Sequence, residues 1–228
     1  MKIRAEFETS AAGPAGYPAD GLAEIALVGR SNVGKSTLVN ALTGLRLART
    51  SAAPGKTRTL NVYRVAPDAG QPFHLVDLPG YGYTRAPRQA QGGPGSAGAR
   101  RQAAREAFEA LTREYFDDRT GRVRAQPARR PPAAFAVLLL VDGRHPGLAS
   151  DLGAGEWLAA LGAPVAVVAT KIDKLTRAER SRAQHAFERA FDCPVLPVSA
   201  VTGEGLKDLW ILIARLLRQP PPPPPSSS

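Results

Sequence analysis

The sequence has very little cysteine and no long apolar run, and both absences narrow the class of protein. Its 228 residues include one cysteine, Cys193, so an intramolecular disulfide is excluded and a reducing compartment is the simplest inference. No apolar window approaches the roughly twenty residues that a membrane-spanning helix needs. The segment at 1–10 lacks the apolar core of a signal peptide. We therefore expect a single-domain cytoplasmic protein without a membrane span.

A glycine-rich loop is the most informative feature that is present. Residues 29–36 read Gly-Arg-Ser-Asn-Val-Gly-Lys-Ser and follow the apolar run at 24–28, which is the pattern of a phosphate-binding P-loop. Two glycines with positive φ would let successive N–H groups converge on a polyphosphate. Lys35 would reach the terminal phosphates, and Ser36 would offer its hydroxyl to Mg²⁺. A helix that begins at Lys35 would direct its positive dipole end at the anion.

Two later segments predict that the base is guanine. Thr170-Lys171-Ile172-Asp173 follows the apolar run at 164–169. The Asp173 carboxylate can accept from both the ring N–H and the exocyclic amine of guanine, whereas adenine presents an acceptor at the first position. The aliphatic stem of Lys171 can cover the base. Val198-Ser199-Ala200 ends another strand-like stretch and could supply a backbone N–H to the guanine carbonyl.

Between these motifs lie groups that could sense the terminal phosphate. Asp77-Leu78-Pro79-Gly80 follows the strand-like segment at 72–76, so Asp77 can hold a magnesium-bound water and Gly80 can donate its N–H to the γ-phosphate. The polar loop at 51–59 can provide a hydroxyl to complete the octahedral shell of Mg²⁺. Thr57 is the favoured ligand and Thr59 the fallback.

The remaining pattern alternates strands and helices, which predicts an α/β fold with a mainly parallel sheet and right-handed crossovers. All the motifs follow strands, so the ligand site should lie at the carboxyl ends of the strands. Strands are expected at 24–28, 60–66, 72–76, 135–141, 164–169 and 193–198. Helices are expected from Lys35 to about Thr43 and at 101–116, 150–161, 176–191 and 206–217, with Thr176 as an N-cap and Glu179 three residues later.

Six segments together resemble the EngB (YihA/YsxC) family of small bacterial GTPases, which belongs with the Era and MnmE groups in the TrmE-Era-EngA-EngB-septin-like superfamily. The segments are GRSNVGKS (29–36), ARTSAAPGKTRT (48–59), DLPGYGY (77–83), VDGRH (141–145), TKIDK (170–174) and VSA (198–200). The resemblance implies a P-loop NTPase of the Ras-like G-domain type, with a six-stranded sheet and GTP hydrolysis assisted by Mg²⁺. It also implies a role in assembly of the large ribosomal subunit and a link to cell division and septation.

The resemblance also assigns roles to individual residues. It implies nucleotide contacts from Gly29, Arg30, Ser31, Asn32, Val33, Gly34, Lys35, Ser36, Gly55, Lys56, Thr57, Arg58, Thr59, Asp77, Leu78, Pro79, Gly80, Thr170, Lys171, Ile172, Asp173, Val198, Ser199 and Ala200. The implied magnesium ligands are Ser36 and Thr57. The candidate catalytic residues are Lys35, Asn32 and Gly80. The G domain should span 21–218, after an N-terminal extension with a short strand at 1–20 and before a disordered Pro/Ser tail at 219–228.

Hydrolysis should be slow. Ras-type enzymes place a glutamine shortly after this glycine to orient the attacking water, whereas here Tyr81 follows Gly80 and a phenol cannot orient water in that way. Related GTPases use a K⁺ ion held partly by a P-loop asparagine, and Asn32 occupies that position. We hypothesise that K⁺ or a ribosomal partner stimulates a slow intrinsic rate. Simple loop capping by Asn32 is the alternative.

Positive charge is concentrated in one region. Lys and Arg number 30 against 20 Asp and Glu, a net charge of +10, and 11 arginines against five acidic residues within 85–130 supply +6 of it. Two basic, flexible insertions are expected at about 86–100 and 119–133. They could contact RNA of the large ribosomal subunit electrostatically, or form solvated loops. A monomer is the default. The alternative function is a GTP/GDP sensor or septation factor with negligible turnover and no direct ribosome contact.

Overall fold

A computed structural model of the chain describes residues 2–48, 59–68, 70–81, 110–120 and 131–219. The strands are β1 (Ile3–Ala11), β2 (Ala23–Gly29), β3 (Leu60–Pro67), β4 (Phe73–Asp77), β5 (Phe135–Asp142), β6 (Val165–Thr170) and β7 (Val195–Pro197). The helices are α1 (Lys35–Thr43), α2 (110–119 in the described part), α3 (Ala149–Ala160), α4 (Arg177–Phe191) and α5 (Leu206–Leu216). None of these helices combines the length and hydropathy that crossing a bilayer requires.

The strands form one sheet in the order β1-β3-β4-β2-β5-β6-β7. The pairs β2–β4, β2–β5, β5–β6 and β6–β7 are parallel, while β1–β3 and β3–β4 are antiparallel. Every residue of β5 is buried, as expected for a strand covered by helices on both faces. The predicted α/β fold with a mainly parallel sheet is confirmed, and the nucleotide motifs follow the carboxyl ends of β2, β4 and β6.

Within the described residues the sheet has seven strands, so the predicted number of six was wrong by one. The additional strand is β1, which pairs with β3 from Ile3 opposite Pro67 to Ala11 opposite Leu60. The register shifts between Phe7 and Thr9, where Glu8 is an additional residue, as in a β-bulge. Most of β1 is exposed or half-buried because it forms the edge of the sheet, so its sequence carries no apolar run that would reveal its length.

Helices cover both faces of the sheet. On one face, Tyr115 of α2, Leu158 of α3 and Phe187 of α4 are buried against the sheet. On the other, Leu38 of α1 and Leu209 of α5 belong to a second buried cluster. The helices predicted at 150–161, 176–191 and 206–217 begin and end within one residue of α3, α4 and α5. The predicted N-cap is also confirmed, since Thr176 and Glu179 form a reciprocal capping box.

The first residue of the predicted basic insertion at 119–133 belongs instead to the core. Arg119, at the end of α2, is only 5% exposed, and its Nε donates to Glu24 Oε2 at 2.8 Å. Tyr115 Oη donates to the same oxygen at 2.8 Å. The prediction was wrong for Arg119 because its buried partner lies 95 residues earlier in the chain. Residues 86–100 and 121–130, and the first part of the predicted helix at 101–116, lie outside the described residues.

Candidate functional site

The P-loop connects β2 to α1, and two of its glycines are required for different reasons. Gly34 has φ of 112°, which disfavours any residue with a Cβ. Gly29 lacks the predicted positive φ. A Cβ at Gly29 would lie 2.7 Å from Leu140 O, so the glycine is needed because β5 approaches closely. Asn32 also adopts a left-handed conformation, with φ of 63°, and its side chain is exposed.

The side chain of Lys35 lies across the P-loop. Its Nζ donates to Gly29 O at 3.1 Å and lies 3.5 Å from Arg30 O. Burial lowers the pKa of Lys35, and the nearby carboxylate of Asp77 opposes that shift. The ammonium group is thus buried among carbonyl oxygens, at the position from which it could reach a phosphate oxygen in the concave side of the loop.

Ser36 and Asp77 form the part of the site that fits a magnesium ion. Ser36 Oγ donates to Asp77 Oδ2 at 3.1 Å, while Asp77 Oδ1 is buried without a hydrogen-bond partner in the described part of the chain. Burial raises the pKa of Asp77, although Lys35 and Ser36 oppose the shift. A hydroxyl and a carboxylate are the hard oxygen ligands that Mg²⁺ prefers, and a buried unpaired oxygen is costly unless a ligand or water satisfies it. These residues therefore fit the ion.

The predicted loop contacts are only partly described. Thr59 lies half-buried immediately before β3. The remaining predicted residues of this loop, Gly55, Lys56, Thr57 and Arg58, fall in the undescribed range 49–58, so the favoured magnesium ligand stays a prediction.

The segment after β4 packs directly against the P-loop. Leu78 and Pro79 are buried, and Gly80 lies so close to Ser31 that a Cβ at position 80 would be 2.6 Å from Ser31 N. Ser31 N donates to Tyr81 O at 2.9 Å, and Ser31 Oγ donates to Gly80 O at 3.3 Å. The two segments expected to meet the terminal phosphate are therefore joined by main-chain contacts.

Tyr81 forms a hydrogen bond with α3 that could not be predicted from the sequence. Its Oη donates to Asp151 Oδ1 at 3.0 Å, and Arg30 Nε lies 3.2 Å from the same oxygen. Burial raises the pKa of Tyr81, and the neighbouring Asp151 carboxylate raises it further. Asp151 is itself buried, in the first turn of α3. The only signal in the sequence was an acidic residue near a helix N-terminus, which is common at exposed positions.

The segments expected to bind the base lie together at the ends of β6 and β7. Ser199 Oγ donates to Asp173 Oδ1 at 2.8 Å, and this hydrogen bond is the main reason that the pKa of Asp173 is lowered. The N–H groups of Val198 and Ser199 already donate to Ala169 O and Glu204 O. Ala200 is therefore the remaining candidate among the three predicted backbone donors.

Lys171 and Thr170 connect the base-binding segment to the P-loop. Lys171 Nζ lies 2.5 Å from Asn32 O and 2.9 Å from Asp142 Oδ2, and Thr170 Oγ1 donates to Val33 O at 2.7 Å. Ile172, between them and Asp173, is buried. Sequence reasoning gave Asp142 no role, although it ends the strand next to β6.

Asp142 anchors the Lys171 side chain. Its carboxylate also accepts from Arg144, through Nε at 2.8 Å and Nη2 at 2.7 Å. Burial opposes ionisation, but the hydrogen bonds from Arg144 and Lys171 prevail and hold the pKa of Asp142 well below its usual range. The lysine stem is thereby held between the P-loop and the end of β5.

Comparison with known proteins identifies the family. A family model described as "50S ribosome-binding GTPase" matches residues 24–171. The probable GTP-binding protein EngB of Solibacter usitatus is 40% identical over 217 residues, covering 95% of this chain and 97% of the relative. The chain belongs to the EngB family. The EngB protein of Oceanobacillus iheyensis is 35% identical over 225 residues, covering 96% and 100% of the two chains. The predicted resemblance is confirmed: the chain is a GTP-binding protein of a GTPase family.

Solved structures support the same fold. A crystal structure of a probable GTP-binding protein EngB superposes with a TM-score of 0.57 at 22% identity, covering 86% of this chain and 98% of that one. A crystal structure of Era in complex with MgGDPNP and nucleotides 1506–1542 of 16S ribosomal RNA gives a TM-score of 0.63 at 20% identity, covering 91% and 61%. At these identities the likeness establishes the G-domain fold.

Proposed function

We propose that this EngB-family protein binds GTP with Mg²⁺, hydrolyses it slowly, and acts as a nucleotide switch in assembly of the large ribosomal subunit, with effects on cell division and septation. The observation that carries the proposal is the link between the two halves of the site. The contacts of Lys171 Nζ with Asn32 O and of Thr170 Oγ1 with Val33 O join the predicted base-binding segment to the P-loop and so support a single site for the nucleotide.

The phosphates would bind the N–H groups of residues 29–36, with Lys35 moving from the carbonyl oxygens to the terminal phosphates. Ser36 and Thr57 would ligate Mg²⁺, which neutralises charge on the phosphates when bound, while Asp77 would hold one of its water ligands. Gly80 would offer its N–H to the γ-phosphate and so report whether GTP or GDP is present.

Base selection would depend on Asp173, supported by Ser199 and by the Ala200 N–H. The test compares GTP, ATP and XTP binding by the wild type and by Asp173→Asn. Xanthine carries a carbonyl where guanine carries its amine, so the amide should lose GTP affinity by about 100-fold and improve XTP binding. Asp208→Asn, at an exposed position of α5, is the matched control. Equal binding of ATP and GTP by the wild type would refute the proposal.

Turnover would be on the order of 10⁻³ per second or below, as in G domains without an activator. Asn32 is an exposed residue of the P-loop, so its side chain is free to turn toward an ion beside the phosphates, which supports its proposed role toward K⁺. Single-turnover hydrolysis in KCl should exceed that in NaCl for the wild type, and Asn32→Ala should remove the difference. Equal rates in both salts for both proteins would contradict this part of the proposal and leave the residue a role in loop conformation.

The ribosomal role rests on two observations. The matching family model describes a 50S ribosome-binding GTPase, and +6 of the net charge of +10 lies within residues 85–130. Co-sedimentation with large subunits should be stronger with a non-hydrolysable GTP analogue than with GDP and should weaken with salt. Deleting 121–130, which removes four arginines, should reduce the salt dependence, whereas deleting the uncharged segment 89–98 should leave it unchanged. Absence of nucleotide-dependent binding would favour a GTP/GDP sensor instead.

We also propose a cytoplasmic monomer. The mass in solution, measured by light scattering with GDP and with a GTP analogue, tests the oligomeric state.

A further inference from the structure

Three potential metal ligands meet at the amino end of the parallel strands, away from the nucleotide motifs. We call Glu8, Asp20 and His74 the His74 cluster. His74 Nε2 lies 2.9 Å from Glu8 Oε2 and 3.6 Å from Asp20 Oδ2, and the three ligand atoms all lie within 4.8 Å of one another. The residues come from β1, the segment before β2, and β4, so the fold itself brings them together.

His74 is an unusual residue for a purely structural role. It is fully buried, yet neither ring nitrogen has a partner in hydrogen-bond geometry among the described residues. The contact with Glu8 therefore has the distance of an ion pair without the alignment of a hydrogen bond. Burying an imidazole without aligned partners costs free energy, which a further ligand at Nε2 would offset.

The spacing of the ligand atoms matches the coordination sphere of a small divalent ion. With bonds of about 2.1 Å, two ligands at a right angle lie about 3.0 Å apart and two at the tetrahedral angle about 3.4 Å apart. The observed separations of 2.9 and 3.6 Å lie within about 0.2 Å of these two values. We propose that the His74 cluster binds a divalent first-row transition metal ion, with Zn²⁺ as the ion that best suits it.

The ligand set favours Zn²⁺ over Mg²⁺. Mg²⁺ takes oxygen ligands, whereas an imidazole nitrogen with two carboxylates suits Zn²⁺ and its neighbours in the series. The side chains of Glu8 and Asp20 are 35% and 40% exposed, so water can complete the coordination. Asp20 is oriented by its own second contact, since its Oδ1 accepts from Leu22 N at 3.0 Å while Oδ2 faces His74.

The site is separate from the nucleotide site. His74 and Asp77 both belong to β4 but are three residues apart, about 10 Å along the strand. The neighbouring carboxylate of Glu24, opposite His74 on β2, is already bonded to Tyr115 and Arg119. A bound ion would therefore link β1 and the segment before β2 to β4, across the intervening strand β3.

The test uses the full-length protein saturated with Mg²⁺ and GDP, so that the nucleotide site is occupied. A calorimetric titration with ZnCl₂ should show one equivalent of Zn²⁺ bound by the wild type. Glu8→Gln and Asp20→Asn replace exposed carboxylates with isosteric amides, and each should weaken binding by about 10- to 100-fold. Co²⁺ in place of Zn²⁺ should give a visible absorption band in the wild type that the double variant lacks.

Three variants control for other ligands. Glu6→Gln alters an exposed carboxylate on the same strand, His145→Ala removes an exposed imidazole, and Cys193→Ser removes the thiol. All three should bind Zn²⁺ like the wild type. Zn²⁺ should also raise the Tm of the wild type but not of the Glu8→Gln, Asp20→Asn double variant, because only the former binds it. No stoichiometric binding by the wild type, or equal binding by the double variant, overturns the proposal and leaves the cluster as an ion pair.

Discussion

The two ends of β2 each carry a buried group of charges, and they differ in how completely those charges are paired. At the amino end, Glu24 accepts from both Tyr115 and Arg119. Arg119 also donates to Asp118 Oδ2 at 2.6 Å and lies 5.4 Å from the ring centroids of Tyr17 and Tyr115. Burial raises the pKa of Glu24 and Arg119 opposes the shift, so each group depends on its internal partners.

At the carboxyl end the pairing is incomplete. Asp77 Oδ1 has no hydrogen-bond partner in the described residues, and Lys35 is bonded to main-chain carbonyls. The difference shows that burial of charge does not by itself indicate a ligand site. A buried atom that the protein leaves unpaired is a stronger indication, because a ligand or a water molecule must offset its desolvation cost.

The largest effect on stability is expected from removing Arg119, which pairs with the buried Glu24. Arg119→Ala should lower the free energy of unfolding by about 3–5 kcal/mol, because it leaves Glu24 buried without its cation. Urea denaturation measures the loss, with Arg177→Ala at an exposed position as the control. GDP affinity of the remaining folded protein should stay within about twofold of the wild type. A large loss of GDP affinity with little loss of stability would show instead that Arg119 supports ligand binding and not the fold.

Asp77→Asn should have the opposite profile. The amide removes a buried charge that lacks a full set of partners, so the nucleotide-free protein should be at least as stable as the wild type. Affinity for nucleotide with Mg²⁺ should fall by about 2 kcal/mol, roughly 30-fold, through loss of a charged hydrogen bond. Binding measured in EDTA should differ little between the two proteins, and an equal deficit with and without Mg²⁺ would argue against a role at the ion.

Lowering the pH should have opposite effects on the stability of the nucleotide-free protein and on its affinity for Mg²⁺ and GDP. Because burial raises the pKa of Asp77, its protonated form stabilises the nucleotide-free fold, and this contribution is lost as the pH rises through the folded-state pKa. Mg²⁺ requires the ionised form, so affinity for Mg²⁺ and GDP should fall by up to about tenfold per pH unit below that pKa. The fall should begin at higher pH than for an exposed carboxyl. Calorimetry from neutral to mildly acidic pH tests it, and Asp77→Asn should flatten the profile.

The smallest effect is expected at Ser199, which positions Asp173. Ser199→Ala should weaken GTP binding by about 1 kcal/mol, roughly fivefold, through loss of one hydrogen bond to the carboxylate. ATP binding should not change, because Asp173 does not favour adenine. Fluorescent-nucleotide competition measures both, and a parallel loss for the two nucleotides would show that Ser199 supports the fold alone.

Much of the fold could be predicted because its signals are local. The continuous apolar run of β5 and the capping box of Thr176 depend on neighbours in sequence, and the structure agrees with both. The length of β1 could not be predicted, since an edge strand is held by main-chain bonds to one neighbour and needs little apolar burial. Arg119 appeared to belong to a basic loop until its partner, distant in sequence, was located.

The candidate site likewise has one part that could be predicted from the sequence and another part that could not. The residues of the P-loop and of the T-K-x-D segment follow from spacing, because their chemistry is carried by adjacent positions. Asp142 and Asp151 act through Lys171, Tyr81 and Arg30, which other segments supply, so their roles require the three-dimensional arrangement. The predicted contacts at 55–58 stay predictions.

The contact between Gly80 and Ser31 leaves no space for even one additional carbon atom. A methyl group at position 80 would push apart the P-loop and the segment after β4, the two segments proposed to meet the γ-phosphate. Because Gly80 brings only backbone to this contact, the absence of a side chain at position 80 would set how closely the two segments approach each other in the proposed switch.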